Sequence, residues 1–122
     1  MTTPKDIALA AVKALDGKHA HDIRLLRTTD VTTLADYFVI CTATSSTQIK
    51  ALGDAVEAAL EELGEQKIHR EGHRSGSWVL LDYGCVVIHL FMEEARQFYN
   101  LERLWADAEE IDLSGTAGPQ GA

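Results

Sequence analysis

Residues 78–91, WVLLDYGCVVIHLF, constrain the fold more than any other stretch of this chain. Two short runs of aliphatic, β-branched and aromatic residues, Trp78–Asp82 and Cys85–Phe91, are joined through Tyr83-Gly84. That pattern predicts a tight antiparallel hairpin. Alternation sets Trp78, Leu80 and Asp82 on one face of the first run and Val79 and Leu81 on the other. In the second run Cys85, Val87, His89 and Phe91 oppose Val86, Ile88 and Leu90. Both faces of the ribbon are therefore apolar, and one carries Asp82 and His89 among its hydrophobic residues. A face covered by helices does not normally need such groups. Two readings stand side by side. One is a buried Asp82–His89 hydrogen bond, with Trp78 as a core residue. The other is an open face with aromatic anchors, composed like the centre of a protein-binding surface.

The rest of the chain supplies what the ribbon packs with. Thr3-Pro4-Lys5-Asp6 reads as a capped helix start, Ile7, Ala11, Ala14 and Leu15 form its apolar stripe, and Gly17 ends it. Asp22–Arg27 alternates like a strand. After a Thr-rich loop, YFVICTA (37–43) is so continuously apolar that it predicts a strand buried on both faces. Ser45-Ser46-Thr47-Gln48 reads as a capping box opening the longest helix, whose buried stripe is Ile49, Leu52, Val56, Leu60 and Leu63, and Gly64 closes it. QKIHRE (66–71) predicts a short polar strand near an edge, and Asn100 caps a short helix, Leu101–Trp105. A long helix between the second and third strands suits a right-handed parallel crossover. The fold expected is α/β (α+β): a single domain, residues 1–111, with a mixed five-stranded sheet flanked by helices. Residues 112–122, rich in Gly and small residues, are expected to be a disordered C-terminal tail.

Charge narrows the partners. Eleven Lys and Arg against nineteen Asp and Glu give a net charge of −8 over 122 residues. A polyanion would repel such a chain, since nucleic-acid binders draw most of their affinity from phosphate contacts. A basic protein is the better match. With neither a signal peptide nor a transmembrane run, and with Cys41 and Cys85 outside any CxxC motif, the expected compartment is the cytoplasm.

Candidate chemistry fails on spacing. His69 and His73 have the H-x₃-H separation of a zinc pair, but Gly72 and strand-like flanks deny them the shared helix face it requires. His19 and His21 read as surface residues. A nucleotidyl transferase needs paired carboxylates on a strand to hold Mg²⁺, yet Asp107-Ala108-Glu109 falls in what reads as a fading C-terminal helix. Asp30, Asp36 and Asp82 are natural turn residues, and no phosphate-cradling glycine loop or GxSxG elbow occurs. No catalytic, metal or cofactor-binding residue is assigned, and the chain is expected not to be an enzyme.

Three blocks, ADYFVICTATSS (35–46), REG (70–72) and WVLLDYGCVVIHLFMEEARQFYNLERLW (78–105), together resemble the Iojap-like ribosomal silencing factors. The last block is the specific part, because it combines W-x₃-D-Y-G, V-x-H-x-F, R-x-F-Y and L-E-x-L-W in order. Two positions depart from the family pattern: Ala43 stands where many relatives have Gly, and Cys85 where a polar residue is usual. The resemblance implies a nucleotidyltransferase-like topology without the catalytic carboxylates. It also implies a translation repressor that binds the large ribosomal subunit through ribosomal protein fourteen. Such a protein would sterically block joining of the small subunit, slowing translation under nutrient limitation. Carried onto this chain, the partner-binding set is Trp78, Leu80, Asp82, Tyr83, Val87, His89 and Tyr99. The competing readings are a nucleotidyltransferase-like enzyme with a degenerate metal site and a homodimeric scaffold that pairs through the same aromatic face.

Overall fold

Thr3 caps the first helix in a complete capping box: its hydroxyl accepts from the Asp6 amide, and the Asp6 carboxylate accepts from the Thr3 amide, both at 3.1 Å. The structure, a computed structural model, describes residues 3–28, 35–67, 69–72, 78–93, 108–111 and 113. Its elements are α1 (Pro4–Gly17), β1 (His21–Arg27), β2 (Tyr37–Ala43), α2 (Ser46–Glu62), β3 (His69–Gly72), β4 (Trp78–Asp82), β5 (Val86–Met92) and β6 (Glu109–Ile111). The expected helix Leu101–Trp105, Tyr99, His73, Asp30 and Asp107 lie outside the described residues.

The strands form one sheet in the order β3-β4-β5-β2-β1-β6. Among the described residues only β2 and β5 pair in parallel, from Tyr37 opposite Val86 to Ala43 opposite Met92, and every other neighbouring pair is antiparallel. The sheet is thus mixed, as expected, but the described residues form six strands rather than five. β6 is the addition: it runs antiparallel along β1, with Arg24 paired to Glu110 and Arg27 to Glu109. The segment read as a fading helix is therefore partly a strand. α2 leads from β2 to β3, which follows the same direction as β2 but sits at the sheet edge, with β5 and β4 between them.

Both described helices cover one face. Ile7, Val12 and Leu15 of α1 and Leu52, Val56 and Leu60 of α2 bury against Leu25, Val39, Cys41, Leu81, Ile88 and Leu90 of the sheet. Leu113, beyond the boundary drawn at residue 111, packs partly buried against this core. The opposite face holds a second, smaller core of Leu26, Ile40 and Phe91, with Phe38, Trp78 and Ala108 packed on it. Val39, Ile40 and Cys41 are buried on alternating sides because β2 lies within the sheet, whereas Tyr37, Phe38 and Thr42 are half-buried.

Two helix ends differ from the expected chemistry. α1 stops with a pair of reverse-turn bonds, His19 N–H to Asp16 O and Ala20 N–H to Leu15 O. The left-handed residue this requires is His19 (φ +64°), not Gly17. At α2, Ser45 caps as expected, accepting from the Gln48 amide at 3.0 Å. The Gln48 side chain does not return to Ser45, however. It accepts from the Thr44 amide and donates to the carbonyls of Lys18 and His19, tying the start of α2 to the end of α1.

Candidate functional site

The β4–β5 hairpin positions the candidate residues through its register. Trp78 lies opposite Phe91, Leu80 opposite His89 and Asp82 opposite Val87, so all six share the face that α1 and α2 leave. β2 extends the row on its other side, with Phe38 beside Val87 and Ile40 beside His89. The turn is shaped locally. Asp82 accepts from the Gly84 amide at 2.8 Å, Tyr83 donates to the Val86 carbonyl at 2.9 Å, and Gly84 supplies the positive φ of +83°. The Cys85 carbonyl then accepts from the amides of Asp36 and Tyr37, fixing where β2 begins. Cys85 itself falls just before β5, and burial pushes its thiol pKa up.

On this face the rings form a stack. The Trp78 indole lies nearly parallel to Phe91 and to His89, with centroids 5.7 and 6.1 Å away, and Phe38 tilts onto His89 at 5.1 Å. Such contacts are favourable beyond the area they bury. The Trp78 N–H points to His89 Nδ1 at 3.4 Å, a long hydrogen bond that sets Nδ1 as acceptor and leaves the ring proton on Nε2. His89 is only 7% exposed, and desolvation lowers its pKa to about 4, so the ring is neutral near pH 7. Its Nε2 is buried with no hydrogen-bond partner among the described residues.

These positions decide between the two sequence readings in part. Asp82 bonds the turn, so the expected Asp82–His89 hydrogen bond is not the explanation of either residue. Trp78, Leu80, Asp82 and Val87 are half-buried, while His89 is sealed beneath them. The face is thus a packed stack with a partly open rim rather than a freely wetted patch, because Phe38 and Phe91 flank the imidazole on both sides. Tyr83 departs from the set. Its side chain joins the helix-side core at 8% exposure, since the residue after Asp82 turns toward α2. Tyr99 lies outside the described residues. Phe38 was missed: the parity of YFVICTA groups it with Ile40 and Thr42, but only the β2–β5 register brings it to His89.

Among the described residues, no three His, Cys, Asp or Glu side chains converge as metal ligands do, and no helix is long and apolar enough to cross a membrane. What the geometry does define is a class: a mixed-sheet α+β domain with one face sealed by two helices and an aromatic–histidine stack on the other. The family model described as ribosomal silencing factor during starvation matches residues 1–121, and the chain belongs to that family. It is 40% identical over 109 residues to ribosomal silencing factor RsfS of Bacillus subtilis, covering 89% of this chain and 92% of that one. RsfS of Chromobacterium violaceum is 36% identical over 118 residues, 97% of each chain. A crystal structure from the latter organism superposes with a TM-score of 0.81 at 35% identity, covering 97% of this chain and 98% of that one.

Proposed function

We propose that this protein is a translation repressor that docks on the large ribosomal subunit through ribosomal protein fourteen and, by its bulk, keeps the small subunit from joining. It acts in the cytoplasm, under nutrient limitation, and its activity is occupancy rather than catalysis. Membership of the silencing-factor family supports the ribosomal setting. The observation that carries the docking surface is the Trp78–His89–Phe91 stack, rimmed by half-buried Leu80, Asp82 and Val87, on the face that the described helices leave. A rigid aromatic held by neighbours of its own chain meets a partner with little ordering cost, which suits an anchor. The net charge of −8 favours a basic ribosomal protein over bare RNA.

The test is co-sedimentation with purified large subunits, small subunits serving as control. The wild-type chain is expected with the large subunit alone. Trp78→Ala is expected to cost about 2 kcal/mol of binding or more. Because the indole also packs on Phe91, the variant's thermal melt is measured beside it, and binding is compared only where the variant is folded. A folded variant that binds large subunits undiminished overturns the surface. Absence of the wild-type chain from the large-subunit pellet overturns the ribosomal reading itself.

A further inference from the structure

His89 belongs to the set that the family resemblance gives to the partner, yet it has almost no surface to offer one. Its ring is 7% exposed, whereas Trp78, Leu80, Asp82 and Val87 around it are half-buried. The fold of the described residues gives no reason for a histidine there either. Burial holds the ring neutral and leaves Nε2 without a hydrogen-bond partner among those residues, a cost that a phenylalanine would not carry. What the imidazole does have is one matched atom, Nδ1, which accepts from the Trp78 indole N–H at 3.4 Å.

The ring geometry shows how much that bond fixes. Trp78, His89 and Phe91 are mutually parallel within 8°, and their centroids lie 5.7 to 6.1 Å apart. Three parallel rings this close cannot all lie face to face. Each layer is about 3.5 Å thick, so the outer two would be about 7 Å apart. At least one pair therefore sits edge to edge in a shared plane. Trp78 and His89 are that pair, because an indole N–H lies in its ring plane and so does the Nδ1 lone pair it meets. Two rings thus tile one layer, with Phe91 packed against both and Phe38 of β2 tilted onto the imidazole.

The constraint passes from the imidazole to the indole. His89 stands on β5, between β4 and β2, and is sealed among its neighbours. Trp78 stands on β4, one strand from the edge, and is half-buried. An indole free to change rotamer would have to be ordered when a partner arrived, and that ordering would be subtracted from the binding. The bond to Nδ1 does the ordering beforehand. It also occupies the indole's only donor within the chain, so a pocket that receives Trp78 needs no acceptor for it.

We propose that His89 is the positioning residue of the Trp78 anchor: it touches no partner itself, and through Nδ1 it holds the indole in the plane and rotamer that a partner's apolar pocket receives. This rests on the docking surface proposed above.

The experiment joins a measurement on the free chain to a double-mutant cycle on tethered large subunits. In the free wild-type chain at pH 7, ring-nitrogen NMR shifts of His89 are expected to show Nε2 protonated and Nδ1 bare, and the Trp78 indole proton is expected to exchange slowly with solvent. A ring protonated on Nδ1 overturns the proposal with no variant needed. On the ribosome, His89→Phe keeps a buried ring and removes the acceptor. It is expected to speed dissociation about fivefold, the variant's thermal melt confirming that it is folded. In a Trp78→Phe background there is no N–H to hold, so adding His89→Phe is expected to leave dissociation within about twofold. His89→Asn, whose side-chain carbonyl can stand near the Nδ1 position, is expected to restore part of the slow dissociation. An equal effect of His89→Phe in both backgrounds makes His89 a direct contact or a general support of the face, and overturns the positioning role. Trp78→Ala runs alongside. If it weakens binding while folded His89→Phe dissociates like wild type, the positioning role fails alone. If neither variant differs from wild type, the docking surface fails and the positioning role with it.

Discussion

Two histidines carry unusual strain, for different reasons. His89 is sealed among Trp78, Phe38 and Phe91, and only burial shifts it, from a pKa of 6.5 to about 4. Between those values the unfolded chain binds a proton that the folded chain refuses. Stability from this group is therefore complete above pH 6.5 and falls as the pH drops toward 4, by about 3 kcal/mol in all. Urea unfolding at pH 7, 6 and 5 should show this slope, and His89→Phe should flatten it. At pH 7 the variant loses the acceptor of the Trp78 N–H but also the unmatched Nε2 donor, so its stability should stay within about 1 kcal/mol of wild type. Parallel slopes in the two proteins would reject a buried neutral imidazole. His19 instead bears backbone strain, holding φ +64° at the end of α1. His19→Gly should raise stability by about 1 kcal/mol, since glycine adopts that angle without a Cβ clash and Gln48 bonds the carbonyl, not the imidazole. Sequence alone put the stop at Gly17 because glycine is the usual terminator. That a histidine takes the strained position two residues later depends on Gln48, thirty or so residues away in the chain, and no local pattern could show it.

Among the elements, those with strong periodicity were legible and those held by distant charge were not. Trp78–Asp82 and Tyr37–Ala43 were read with their observed boundaries, because alternation or continuous apolarity writes strand directly into the residues. β6 escaped because Glu109-Glu110-Ile111 has no strand pattern of its own. It is held by ladder bonds to β1 and by Arg24 and Arg27 on that strand. The candidate face was legible in its alternation, which grouped Trp78, Leu80, Asp82, Val87 and His89 correctly, but its depth was not. Whether His89 is sealed depends on Phe38, and so on a β2–β5 register that no single stretch encodes. β3 poses the same problem at the other edge. Arg70 reaches across Gly53 of α2 to pair with Asp54 at 3.2 Å and with Glu57, and a Cβ at Gly53 would meet its guanidinium at 2.8 Å. An edge strand this short is weakly held by its ladder alone. Arg70→Met should therefore speed amide exchange in His69–Gly72 by about tenfold while leaving the amides of β5 unchanged. Equal protection of β3 in the variant would show that the ladder, not the arginine, holds the edge.

For the molecule as a whole, the docking proposed above gives separate roles to the field and to the anchor. The helix-covered face is closed, the Trp78 stack occupies the other, and the net charge of −8 surrounds both. Long-range attraction to a basic protein acts on the encounter, whereas a desolvated aromatic anchor acts after contact and governs how long the complex lasts. Raising ionic strength from about 0.1 to 0.3 M should therefore slow association with large subunits several-fold, as the screening length shortens from about 10 Å, with little change in dissociation. Trp78→Ala should do the reverse, speeding dissociation at nearly constant association rate. The sign of the salt effect also identifies what is touched. An acidic chain meeting ribosomal RNA directly would be repelled at low salt, so screening would accelerate its association instead. Interferometry on tethered large subunits measures both rates, and an association rate that climbs with salt would remove the basic protein from the contact and leave RNA in its place.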